Sequence, residues 1–450
     1  MELFISIFQQ LLFVASLAVT SWLVASRVRR IAANIKLGRS VERKDQPQKR
    51  LKNMLLMALG QKKMFDKPLV GLMHFVIYAA FIIINIEVLE ILLDGLLGTH
   101  RLFAPYLGSL YQWLINFFEL LALGVVVSCI IFLLRRNLKI VPRFWSREMT
   151  RWPRLDANII LLAEIFLMLC LFTMNATDSL LQTRSDSHYI AAHYPSVGSF
   201  WVSGLLTPLF SSLPTYALLL LERVAWWLHI LGIMAFAVYI TYSKHLHIAL
   251  AFPNTYFSSL EPKGKIENMP VVTAEVKSML GISSQNTQAN SQEIGRFGAK
   301  DVQDLTWKNL MDAYSCTECG RCTAVCPANI TGKLLSPRKI VMDTRDRLEE
   351  KGQLIALYGK DYDDGKSLYG DYITKEEVMA CTTCNACVEA CPVNINPLDI
   401  IVQIRQYIAM EEAATPTSWN AMFANIENNA APWAFSASDR FNWAKELQEE

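Results

Sequence analysis

The chain has 450 residues, is 52% hydrophobic, and carries 43 Lys and Arg against 41 Asp and Glu. That length allows two or three domains, the mean hydropathy of +0.23 leans towards the membrane, and the net charge of +2 says little by itself because the charge is spread unevenly along the chain; no nucleic-acid partner is expected. Eight of the ten cysteines fall between residues 316 and 391 behind a long apolar half, which favours metal ligation over the disulfide framework of a small secreted domain.

Five apolar runs, near residues 4–26, 68–95, 109–134, 155–178 and 215–243, can each cross a hydrocarbon core of ~30 Å, which takes ~20 helical residues. The first lacks a basic start and a small-residue cleavage site, and Arg27, Arg29 and Arg30 follow it, so it reads as a retained span and not a signal peptide. Residues 27–67 hold 13 Lys and Arg and residues 135–154 hold seven, whereas 96–108 and 179–214 hold one each, Arg101 and Arg184. The positive-inside rule then puts the N-terminus outside and everything after the fifth span in the cytoplasm. The expected location is a bacterial or archaeal cytoplasmic membrane.

His74 lies about two turns into the second span. His229 and His247 are 18 residues apart, five turns of a continuous helix, and are expected to share a face. His245 would be rotated from that face by about 200°. Imidazole is a common axial ligand of haem iron, and intramembrane histidines are rare and usually functional. The alternative is a set of hydrogen-bonded or interfacial histidines. The run Leu228-His229-Ile230-Leu231-Gly232, with Leu246-His247-Ile248, resembles the fifth helix of the gamma subunit of respiratory nitrate reductase, as does the five-span plan. That resemblance implies b haem, with His74 and His247 holding the one nearest the cytoplasm and His229 serving an outer one. Ile84 stands where the other outer ligand is expected, so one haem is expected and a second is doubtful. The intramembrane acids Glu87, Glu90, Asp94, Glu119 and Glu164 suggest a proton path, a quinone pocket, or pairing with Arg101, Arg223 or His229.

Residues 249–300 are rich in Ser, Asn, Gln and Gly, with Ser283 to Gln288 the most biased, and read as a linker. Helical periodicity returns after Thr306, a plausible N-cap. Two copies of C-x₂-C-x₂-C-x₃-C-P follow: Cys316, Cys319, Cys322, Cys326 and Pro327, then Cys381, Cys384, Cys387, Cys391 and Pro392. This run holds [4Fe–4S] clusters, three cysteines wrapping one cubane while the fourth ligates the other. The expected sets are Cys316, Cys319, Cys322 and Cys391 for one cluster, and Cys381, Cys384, Cys387 and Cys326 for the second. Zinc is the competing metal for paired C-x₂-C elements, but two complete copies, each ending in proline, weigh against it.

Ser336-Pro337 is expected to open a helix that Gly352 stops, and Asn396-Pro397 another running to about residue 413. With these inserted helices, residues 301–344 and 379–407 resemble the α-helical ferredoxin of succinate dehydrogenase and heterodisulfide reductase subunits. The whole chain resembles membrane-bound iron–sulfur oxidoreductases related to heterodisulfide reductase. It implies an all-α protein: a five-helix transmembrane cytochrome-b-like domain (1–248), a linker (249–300), a two-cluster ferredoxin domain (301–413) and a docking tail (414–450). It further implies electron transfer between a cytoplasmic partner, such as an electron-transfer flavoprotein, and menaquinone or another quinone. The Cys-Cys cluster-binding repeats of fused relatives would sit on a separate cytoplasmic subunit. A redox sensor or structural anchor is the alternative.

Overall fold

The computed structural model describes residues 2–184, 190, 193–266, 268–282 and 296–447; His188 and the stretch from Ser283 to Gln288 lie outside them. Five long helices carry the apolar runs: α1 (Glu2–Ile35), α2 (Pro68–Leu97), α3 (Ser109–Asn137), α4 (Arg151–Gln182) and α5 (Thr215–Ile240). Each is long and apolar enough to cross a membrane. Four extend past the apolar runs because flanking residues continue the helix. In α1 these include Arg27, Arg29 and Arg30, whose long stems can reach a polar interface.

Helices α2, α3, α4 and α5 pack in succession, and α1 lies against α2 and α5. Ala80, Ala122, Leu171 and Ile230 are fully buried at the centre, whereas Leu11, Trp22, Leu69, Trp113 and Leu220 face outwards. An apolar outer surface suits lipid, where helices associate by close packing. Gly95 shows the principle: a Cβ there would stand 2.7 Å from the Phe13 ring of α1.

The fifth span departs from expectation. It ends at Ile240, and His247 opens a separate helix, α6 (His247–Tyr256). Buried Asp156 on α4 competes for the intervening groups. It accepts from the hydroxyls of Tyr239 (2.5 Å) and Ser243 (2.8 Å) and from the Lys244 backbone N–H (3.2 Å). Side chains that capture nearby polar groups end helices in this way, so His229 and His247 do not share one helical face.

The second half is helical too; among the described residues only two isolated β-bridges occur. Its main helices are α7 (Trp307–Ser315), α8 (Arg321–Ala324), α9 (Pro337–Tyr358), α10 (Ala386–Ala390), α11 (Pro397–Met410) and α12 (Thr417–Asn429). Thr306, Ser336 and Asn396 cap α7, α9 and α11, each accepting from the backbone N–H three residues on, as N-caps do. Gly352 does not stop α9, which runs on to Tyr358 and ends at Gly359 with φ 96°. Gly352 instead admits Asn34 of α1, whose amide oxygen would lie 2.1 Å from a Cβ there. The expected linker is partly helical, holding most of α6 and a helix over Pro270–Met279.

This half packs onto the end of the bundle that bears the basic loops. Arg27 donates to both oxygens of Glu349 on α9, at 2.9 and 2.7 Å. Arg39 exchanges backbone hydrogen bonds with Leu305 (2.7 Å) and Trp307 (3.0 Å). Fully buried Arg338 donates to Glu148 at 2.7 Å and to the Arg143 carbonyl at 2.8 Å.

Candidate cofactor sites

The two cysteine motifs fold into the same local turn. Glu318 and Gly320 take φ of 54° and 69° in the first, and Thr383 and Asn385 take 56° and 60° in the second. These left-handed steps curl the chain back so that the Glu318 N–H points at Cys316 Sγ and the Thr383 N–H at Cys381 Sγ, both at 3.4 Å. Backbone N–H···S bonds of this kind favour a charged sulfur and tune bound clusters. Short α8 and α10, which carry Cys322 and Cys387, lie against each other.

The thiols interact in two groups. Burial pushes Cys322 well above its ordinary range, aided by the negative charges of Cys319, Cys316 and Cys391, with Cys387 weakest. Burial likewise pushes Cys387 up to about 12, and its cysteine neighbours are Cys381, Cys326 and Cys384. Cys316, pushed by burial to about 12, has Cys319 as its cysteine neighbour, as does Cys391, pushed by burial to about 11. Cys391 thus lies beside Cys322 and Cys319 of the first motif, and Cys326 beside Cys387 and Cys381 of the second. Among the described residues, no three His, Cys, Asp or Glu side chains are grouped so as to hold a single metal ion.

Loops of the membrane half grip the first group. Arg143 donates to the Cys319 carbonyl (2.8 Å) and Lys63 to the Cys391 carbonyl (3.0 Å). Glu318 is salt-bridged to Lys244 and, at 2.8 Å, to Arg345. Burial opposes ionisation of Glu318, yet Arg345 and Lys244 hold its carboxyl below the ordinary value. The second group lies away from these grips, and its Cys384 is exposed.

His74 and His247 both come to the end of the bundle that faces the first cysteine group. His74 Nδ1 bonds the amide oxygen of buried Gln61 at 3.0 Å, and His247 Nδ1 bonds the Lys244 carbonyl at 3.0 Å. A carbonyl can only accept, so Nδ1 carries the proton and Nε2 presents a lone pair, the arrangement usual for a ligating histidine. His245, set aside in the sequence by its helical angle, stands beside them with its ring 5.4 Å from that of His247. Burial lowers it to about 3, with His247 and His74 adding to the effect. The helix break was the missing signal: once α5 ends, the angular argument fails.

His229 is buried on α5 and bonds the Leu167 carbonyl of α4 at 2.9 Å through Nδ1. Ile84 is buried, and Asn85, on the lipid-facing side, donates to the Phe81 carbonyl. His100 contacts Asp178 and Arg223, both at 3.4 Å, and His193 is exposed. Pairing of the intramembrane acids follows other lines than expected: Arg101 bonds Asp178 at 2.6 Å and Arg223 bonds Glu222 at 2.7 Å.

Residues 315–395, which include all eight clustered cysteines, match the 4Fe-4S dicluster domain family, and a second family of that description matches residues 281–331. This is an iron–sulfur protein. The chain is 26% identical to the "Probable iron-sulfur-binding oxidoreductase FadF" of Bacillus subtilis, over 97% of this chain and 61% of that protein. It is 25% identical to the "EtfAB:quinone oxidoreductase" of Syntrophomonas wolfei, over 90% of this chain and 55% of that one. A shorter match, 26% identical over 32% of this chain and 35% of the relative, is to one of the chains of the "Dihydromethanophenazine:CoB--CoM heterodisulfide reductase" of Methanosarcina acetivorans. The chain therefore spans somewhat over half the length of the first two relatives. No solved structure shows significant similarity to it.

Proposed function

We propose that this chain is a membrane electron-transfer subunit linking a redox partner on the basic-loop side to the quinone pool. In this reading the basic loops and the iron–sulfur half are cytoplasmic and the N-terminus lies outside. Cys316, Cys319, Cys322 and Cys391 hold the cluster nearest the membrane. Cys381, Cys384, Cys387 and Cys326 hold the other, with exposed Cys384 marking where electrons enter or leave. One observation carries the proposal: Arg143 and Lys63 of the membrane half clasp the carbonyls of Cys319 and Cys391, so the first group abuts the bundle end that bears His74 and His247.

The two histidines fit a b haem, since each has its Nδ1 proton committed to a carbonyl oxygen and its Nε2 available. The haem would supply one-electron transfer within the bundle. Gln61 and Lys244 fix the ring orientations of its ligands, both of which are part-buried. His229 has the same anchored Nδ1, but Ile84 offers no partner ligand, so one haem is proposed. The partner is a cytoplasmic subunit bearing Cys-Cys repeats, with an electron-transfer flavoprotein as donor and menaquinone as acceptor. The name of the Syntrophomonas relative supports the quinone and flavoprotein assignments.

Haem quantification and a reduced-minus-oxidised spectrum of the purified chain test this directly. We expect about one b haem per chain, lost in both His74→Ala and His247→Ala. Full haem signal in both variants would contradict the ligand assignment.

A further inference from the structure

At the end of the bundle away from the clusters, polar side chains from four spans meet in the apolar core. Nearly all are satisfied. Glu90 accepts from the Phe103 N–H and the Tyr111 hydroxyl, each at 2.7 Å. Glu119 accepts from Ser203, from the Val202 N–H at 2.9 Å and from Asn175 at 3.2 Å. Arg101 bonds Asp178 at 2.6 Å, Asn175 at 2.9 Å and Tyr111 at 3.3 Å. Among the described residues Gln182 Nε2 lacks a partner at this end, and Glu87 lacks any. It is 4% exposed, and neither carboxyl oxygen has a hydrogen-bond partner.

A buried carboxylate with both oxygens unpaired is among the costliest arrangements in a protein, so the neutral acid is the form that this setting accommodates. Glu87 lies one turn from Glu90 on α2 and feels the charges of Arg101, Glu90 and Glu119. From Glu90 a line of contacts leads outwards. Tyr111 bonds Glu90, Arg101 joins Tyr111 to Asp178, and His100 touches both Asp178 and Arg223 at 3.4 Å. Arg223 is 35% exposed in its side chain and bonds Glu222, which accepts from Tyr194 at 2.9 Å. The line thus runs from Glu90, one turn from the orphaned acid, to the surface of the end opposite the clusters.

We infer that Glu87 is a proton-carrying site, and that the polar line from Glu90 to His100 and Arg223 gives water and protons a way between it and the outer aqueous phase, with Arg101 keeping its own proton as a fixed charge. This rests on the proposed quinone chemistry and deepens it. A quinone takes two electrons and two protons to become a quinol, its two carbonyls turning into hydroxyls, and quinol oxidation returns both. The clusters supply or remove only the electrons. The Glu87 carboxyl gives its proton to a quinone oxygen, or takes one from a quinol hydroxyl. The carboxylate left after donation is countered by Arg101 and reloaded from the side of Glu90, and a second such cycle supplies the second proton; in quinol oxidation both protons leave the same way.

The test uses the full chain in liposomes with the iron–sulfur domain facing the medium, a quinol as donor and ferricyanide as external acceptor. A pH dye inside the vesicles reports protons released on the other side. We expect wild type to acidify the lumen in step with electrons, and Glu87→Gln to lose about tenfold or more of that rate with its cluster EPR signals unchanged. Tyr111→Phe should slow release while keeping Glu87 protonated. Infrared spectra give a readout independent of turnover: a carboxylic-acid carbonyl band present in wild type and Tyr111→Phe should vanish in Glu87→Gln. Wild-type acidification per electron in Glu87→Gln, or an unchanged carbonyl band, would overturn the inference. Absence of quinol oxidation by wild type would overturn the quinone reading instead, leaving the infrared result to judge Glu87 as a proton carrier.

Discussion

At the residue scale the cysteines make the sharpest predictions. Cys391 belongs to the second motif in sequence but neighbours Cys322 and Cys319 in space. Cys391→Ser is therefore expected to damage the cluster bound by Cys316, Cys319 and Cys322, and EPR of the reduced variant distinguishes this from loss of the other cluster. The thiols also set a pH dependence. Burial raises Cys316, Cys387 and Cys391 to about 12, 12 and 11, so the iron-free protein holds their protons at neutral pH. Cluster binding must release those protons. Cluster retention should therefore rise with pH and fall on acidification, which cluster absorbance followed from pH 8 down to about 5 will check. The cysteine motifs were legible in the sequence because each sets its four cysteines within a few residues of one another at a fixed spacing. Arg143, Lys63 and Lys244 were not, since nothing local marks a basic side chain whose partner lies far along the chain.

Among the helices, the five spans were legible because a ~30 Å apolar length is a strong signal. The reading failed where a single polar contact redirected the chain. Asp156 ends α5 by taking Ser243 and Lys244, and that break brings His245 beside His247. Lys244 then bridges the bundle and the first motif, bonding the Pro153 carbonyl at 2.6 Å and Glu318. Removing one partner of a buried pair leaves the other uncompensated, although Arg345 still neutralises Glu318. Lys244→Ala should cost about 2 kcal/mol, visible as a lower thermal midpoint with both clusters retained. The tail is a separate case. Beyond residue 413, α12 and the segment after it expose Trp419, Trp433, Phe435 and Trp443, and aromatic side chains of this kind anchor interfaces. Deleting residues 414–450 should release the proposed cytoplasmic partner while leaving both clusters in place; a native complex lacking any Cys-Cys subunit would contradict it.

Over the whole molecule, function depends on how the two halves meet. The fused arrangement was readable from the order of apolar runs and cysteine motifs, but not the interface, which is built from Arg27–Glu349, Arg338–Glu148 and the backbone pairing of Arg39 with α7. These contacts fix the first cysteine group against the histidine end, and the proposed path from cluster to haem to quinone requires that fixity. The most direct measurement is reoxidation of the clusters by quinone. Both clusters are reduced chemically in the purified full chain, a menaquinone analogue is added anaerobically, and EPR follows the clusters with time. The account predicts that both are oxidised in wild type and that His247→Ala, with its clusters intact, stays reduced. Clusters that remain reduced in wild type, or a His247→Ala variant that is oxidised at the wild-type rate, would contradict it.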